Sequence, residues 1–138
     1  MKKVYRADVR EMLNVAKDLE EFCDSEALPQ DIAFALNLCV DEMFTNVASY
    51  AYGGAANATI ELEVLIEDGF LKTYIRDFGK PFNPLCDAKA PDLDAPLQER
   101  DIGGLGVYLL KKNMDKLSYE RIGNMNQLMF AKELPKHA

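Results

Sequence analysis

The chain has 138 residues, 49% of them hydrophobic and 28% charged, with a formal net charge of −7. This suits a single globular domain over residues 1–138. It excludes the basic face of a nucleic-acid binder, and no apolar run approaches the length of a membrane span. The N-terminus starts basic but lacks the apolar stretch of a signal peptide. Cys23, Cys39 and Cys86 show no CxxC spacing, which points to reduced thiols and a cytoplasmic protein. Cys39 falls in an apolar helical pattern and reads as a small core residue. With His137 as the one histidine, a zinc site is not expected.

Residues 3–9 form an expected first strand. Met12, Leu13, Val15, Ala16, Leu19 and Phe22 recur at helical spacing, so 9–24 reads as a helix. Pro29 opens a second helix running to about residue 51, where its missing N–H costs nothing. Its apolar stripe is Ile32, Leu36, Cys39, Val40, Met43, Phe44 and Val47, and Tyr52-Gly53-Gly54 ends it. Residues 57–67 alternate, with Ile60, Leu62, Val64 and Ile66 on one face. Asp68-Gly69 is a hairpin signal, and 70–76 returns as the partner strand. The segment 79–102 carries Pro81, Pro84, Pro91 and Pro96 and reads as a long functional loop. A helix over about 104–115 follows, then strands over about 117–122 and 126–134, joined at Gly123-Asn124. Strands in hairpins with helices grouped between them imply an α+β fold. The expected form is a two-layer sandwich of a mixed, mostly antiparallel sheet with helices on one face, rather than a doubly wound sheet.

Glu42 and Asn46 lie four apart and project from one side of the second helix. On a helical wheel they sit at the edge of the apolar stripe, beside Ala35, Cys39 and Tyr50. A carboxylate and an amide there can hold a water, a hydroxyl or the hydration shell of Mg²⁺; they can also be plain polar edge residues. Asp77-Phe78-Gly79 follows a strand. An aspartate at a strand end can accept a hydrogen bond from an exocyclic amine, or can simply form a turn. The letters D-F-G also occur in eukaryotic-type protein kinases, but the upstream glycine loop, lysine strand and H-R-D segment of that fold are missing. Gly103-Gly104-Leu105-Gly106 opens a helix whose N–H groups favour phosphate, with Arg100 and Lys111 as nearby cations. It matches neither the Walker nor the Rossmann glycine pattern, and alone it reads equally as a hinge.

In this order the segments resemble the GHKL (Bergerat-fold, histidine-kinase-like) ATPases, and within them the anti-sigma factor serine/threonine kinase branch. Glu42-Met-Phe-Thr-Asn46-Val-Ala-Ser-Tyr-Ala-Tyr52 is similar to the N box. Asp77-Phe-Gly79-Lys-Pro-Phe82-Asn-Pro84 is similar to the G1 box, and Glu99-Arg100-Asp-Ile-Gly-Gly104-Leu105-Gly106-Val107 to the G2 box. Tyr50 departs from the pattern, standing where many relatives carry a histidine.

The resemblance implies ATP and Mg²⁺ as cofactors. It assigns Glu42 as general base and Asn46 as the Mg²⁺ ligand. Asp77 and Gly79 fall to the adenine, Gly104, Leu105 and Gly106 to the phosphates, and Phe82 is a further nucleotide-binding residue. Arg100 becomes a γ-phosphate contact at the end of an ATP lid over 79–102. The implied function is an ATP-binding anti-sigma regulatory factor that phosphorylates a serine or threonine on a STAS-type anti-sigma antagonist. A sigma factor is the second partner, and a homodimer is allowed. The alternative is a non-catalytic ATP/ADP-binding module that switches partners without phosphoryl transfer.

Overall fold

Period-two alternation of apolar residues lays down one five-stranded sheet in a computed structural model that describes residues 1–50, 58–87 and 104–136. The strands are β1 (Lys2–Arg6), β2 (Thr59–Glu67), β3 (Phe70–Asp77), β4 (Lys116–Ile122) and β5 (Met125–Glu133), in spatial order β1-β2-β3-β5-β4. All of these pairings are antiparallel, so a parallel pair, which a mixed sheet would contain, does not occur among the described strands. Asp68 and Gly69 turn the β2–β3 hairpin with φ of 55° and 81°, the left-handed pair that matches strand twist.

The helices are α1 (Met12–Ser25), α2 (Gln30–Tyr50), the short α3 (Pro84–Asp87) and α4 (Gly104–Asn113), with a 3₁₀ turn over Val9–Glu11 ahead of α1. Ile32, Leu36, Cys39, Val40, Met43, Phe44 and Val47 are all buried, as the periodicity requires. They pack with Ile60, Leu62, Val64, Leu71, Ile75, Leu128 and Phe130 from the sheet. Tyr5 meets Phe44 edge to face, with ring centroids 6.1 Å apart. In α1 the buried stripe is Val15, Leu19 and Cys23. Leu13, expected inside, is 84% exposed, because two residues back along a helix is more than half a turn away from Val15.

α1 ends in a left-handed cap. The Leu28 N–H bonds the Cys23 carbonyl and the Ala27 N–H the Asp24 carbonyl, with Ala27 at φ 51°. On the opposite face of the sheet, Arg76 bonds Glu61 at 2.7 Å and Glu63 at 2.9 Å, and lies over the Tyr74 ring. The helices therefore cover one face and charge pairs occupy the other.

The expected loop 79–102 contains an unforeseen turn of helix, α3, nucleated at Pro84 where a missing N–H is harmless. Residues 88–102 of that loop, including Arg100, and the Tyr52-Gly53-Gly54 helix stop lie outside the described residues.

Candidate nucleotide site at the α2–α4 seam

Ala35, Cys39, Glu42 and Asn46 recur along α2 at helical spacing. The sequence places this row at the rim of the apolar face, but packing takes it further inside. Ala35, Cys39 and Asn46 are buried and Glu42 is half-buried. The element responsible is α4. Val107 and Leu110 on its inner face, and Met114 just after it, are buried, which presses the start of the helix against α2.

Gly106 is the point of closest approach. A Cβ built there would lie 3.0 Å from Glu42 Oε2, 3.2 Å from Glu42 Cβ and 3.2 Å from Met43 Cε. A side chain at this position fits only if these neighbours yield by a few tenths of an ångström. The α4 N-terminus, Gly104-Leu105-Gly106, thus lies beside the α2 carboxylate, and its first N–H groups have no partners within the helix. Burial, aided by the neighbouring Asp41 charge, holds the Glu42 carboxyl above its ordinary value. Burial likewise pushes the Cys39 thiol up to about 11, which makes it an inert core group.

Asn46, one turn further along, is 2% exposed. Its Nδ2 is buried without a hydrogen-bond partner among the described residues. Such a donor costs roughly 1–3 kcal/mol. A phosphate oxygen beside Asn46 would take that bond. With the amide turned end for end, its oxygen is presented instead. Mg²⁺ is usually held by one or two protein oxygens plus substrate phosphates and water. Among the described residues no group of three or more His, Cys, Asp or Glu gathers to form an all-protein metal site. The Asn46 amide oxygen, so turned, could serve as one such protein oxygen.

Asp77, at the end of β3, is 2% exposed. Its Oδ1 accepts from the Gly79 N–H at 2.9 Å, so the turn expected of Asp-x-Gly does form. The same Oδ1 accepts from Asn126 Nδ2 at 2.9 Å. Burial raises the Asp77 carboxyl above its ordinary value, while these two donors and the Arg121 charge pull the other way. Phe82 is half-buried against the core, and its N–H donates to Asn126 Oδ1 at 3.3 Å. Arg121 Nη1 donates to the Gly79 carbonyl at 2.8 Å.

The structure thus brings Gly106 against Glu42, with Asn46 one turn along α2, and separately gathers Asp77, Gly79 and Phe82 around Asn126. Sequence reasoning missed Asn126, Tyr119 and Arg121. The available signal was Asn126 itself, a polar residue at the same strand parity as the buried Leu128 and Phe130.

An α+β sandwich with helices on one face, a half-buried acid in the helical seam and a buried aspartate at a strand end define a class, and the sequence comparisons agree with it. The chain belongs to the histidine kinase-like ATPase domain family, whose model matches residues 5–132. Membership makes ATP the cofactor to expect of this fold.

Among similar proteins, the Serine/threonine-protein kinase BtrW of Bordetella bronchiseptica is 32% identical over 97 residues, covering 70% of this chain and 68% of that protein. The Anti-sigma F factor of Geobacillus stearothermophilus is 27% identical over 94 residues, covering 68% of this chain and 64% of that protein. Among solved structures, the Erythrobacter litoralis EL346 blue-light activated histidine kinase superposes with a TM-score of 0.58 at 23% identity, covering 78% of this chain and 32% of that one. The Acinetobacter baumannii histidine kinase AdeS superposes at 0.53 with 12% identity, covering 99% of this chain and 68% of that one. These two structures bear on the fold alone. No described helix is long and apolar enough to cross a membrane.

Proposed function

We propose that the chain is an ATP-dependent protein serine/threonine kinase of the anti-sigma type, acting on a STAS-type antagonist and binding a sigma factor in its other partner state. The observation that carries this reading is the contact of Gly106 with Glu42, which sets a desolvated carboxylate beside a helix N-terminus suited to phosphate. Similarity to a serine/threonine kinase and to an anti-sigma F factor supports the choice of branch.

In this reading Asp77 accepts the adenine amino group, and Gly79 and Phe82 border the base. The amides of Gly104, Leu105 and Gly106 bind phosphate oxygens, and Asn46 holds Mg²⁺. When bound, Mg²⁺ supplies neutralisation of the β- and γ-phosphate charge. Glu42 takes the proton from the attacking serine or threonine hydroxyl, and its raised pKa makes it a better acceptor than an ordinary surface glutamate. Arg100, outside the described residues, is assigned to the γ-phosphate.

The test is transfer from γ-labelled ATP to candidate STAS proteins by wild type and by Glu42→Gln. Labelling by wild type, lost in the variant while ATP binding is retained, supports the kinase. ATP binding with no labelling of any partner returns the non-catalytic switching module. No thermal shift at millimolar Mg-ATP rules out both.

A further inference from the structure

The β3–β5 register sets Asp77 directly opposite Asn126, and both side chains are 2% exposed. Asn126 uses its whole amide. Nδ2 donates to Asp77 Oδ1 at 2.9 Å and to the Lys80 carbonyl at 2.8 Å. Oδ1 accepts from the Phe82 N–H at 3.3 Å and from the Tyr119 hydroxyl. An amide with two donors and two acceptor sites is then saturated, and its orientation is determined. Turned over, it would set an oxygen against the carboxylate and its N–H groups against N–H and O–H donors.

This has a consequence at Asp77. The Gly79 N–H also bonds Oδ1, so both described hydrogen bonds to this carboxylate fall on one oxygen. Oδ2 takes none of the described hydrogen bonds, so it is the oxygen a base would meet if Asp77 binds one. An ionised carboxylate only accepts; adenine presents an amino donor at its six-position, whereas guanine presents a carbonyl acceptor there. Two acceptors face to face repel, which is discrimination by an unfavourable contact.

We propose that Asn126, held by the Tyr119 hydroxyl, is a positioning residue for base recognition: it commits Oδ2 of Asp77 to the purine and sets the preference for a six-amino group. This rests on the assignment of Asp77 to the base. Tyr119 comes from β4, on the diagonal across from Asn126, so the β4–β5 hairpin acts on the nucleotide through Asp77 and the 79–82 backbone.

The experiment measures Mg²⁺-dependent binding of ATP, GTP and purine riboside triphosphate, which lacks the six-amino group, to wild type, Asn126→Leu and Tyr119→Phe. Wild type should prefer ATP to both analogues. Asn126→Leu should lose roughly ten- to hundredfold on ATP while purine riboside triphosphate changes by less than about threefold, so the preference collapses. Tyr119→Phe, which removes a single donor, should shift the ratio the same way by about two- to fivefold.

Parallel weakening of all three nucleotides, or an unchanged ratio, overturns the proposal and reduces Asn126 to a structural strut. If Asn126→Leu does not fold, the ratio in Tyr119→Phe decides alone. If wild type itself binds ATP and purine riboside triphosphate equally, the assignment of Asp77 fails and takes this proposal with it. That outcome is distinct from a wild-type preference that survives the substitutions.

Discussion

Gly106 of α4 packs against Glu42 of α2: a Cβ built on the glycine would stand 3.0 Å from the Glu42 carboxylate oxygen, so a side chain there requires Glu42 to yield by a few tenths of an ångström. Gly106→Ala therefore sets two effects against each other. Alanine inside a helix ordinarily gains about 1 kcal/mol over glycine. Overpacking a tight contact costs about 1–3 kcal/mol. The expected net is a loss of up to about 2 kcal/mol, read as a lowered urea midpoint with an unchanged slope. The carboxylate is the atom group free to yield, so phosphoryl transfer should fall by at least about tenfold, more than ATP affinity does. Equal losses in both would mean that the glycine serves phosphate approach rather than Glu42.

Glu42→Gln should separate the two roles of that carboxylate. Because burial raises its folded-state pKa, the protonated form favours the fold. That stability is fully present below the unfolded pKa and is lost as pH rises through the folded value. The neutral isostere should therefore melt higher than wild type at pH 7, with the gap closing in acid. Transfer should drop by about a hundredfold or more with ATP affinity held. In wild type, transfer should decline on the acid side at a pH above the ordinary glutamate range, measured as a turnover–pH profile under saturating ATP. Asp77, also raised, should appear in the affinity profile instead.

Asn46→Leu exchanges a buried donor, unpartnered among the described residues, for an apolar group of similar size. Without nucleotide the variant should be as stable as wild type or gain about 1 kcal/mol, since an orphaned polar group is removed. It should lose the Mg-ATP-induced rise in melting temperature. A variant that is destabilised by several kcal/mol, or that keeps the full shift, contradicts the placing of Asn46 against the nucleotide and its cation.

Ala27 tests the fold independently of any ligand. It holds a left-handed conformation at the α1 cap, where a Cβ costs about 1 kcal/mol. Ala27→Gly should stabilise the protein by about that amount, offset in part by the greater entropy of an unfolded glycine. The check is a thermal midpoint raised by roughly 2–4 °C.

The alternation in 59–67 and the apolar stripe of α2 predict their elements because those signals are local and follow from the periods of strand and helix. The Glu42–Asn46 pair and the glycine segments were legible for the same reason: spacing of three and four residues, or a turn, is written within a few positions. Leu13 was misplaced because α1 carries more apolar residues than its one buried stripe can accept, and only the packing partner chooses among them. The turn of helix at Pro84 was lost because four residues are too few to show a period.

What the sequence by itself determined is the order of elements, the α+β class, and which residue types stand at the ends of α2, β3 and α4. Tertiary structure decided which of them meet. Gly106 lies against Glu42 only because Val107, Leu110 and Met114 bury the inner face of α4 and the residue after it. Asp77 faces Asn126, 49 residues away, only because β5 pairs with β3 in that register. A one-residue slip would turn Asn126 to the other face of the sheet. Register and helix rotation are set by burial of the whole apolar face, a collective quantity that no short stretch of sequence contains.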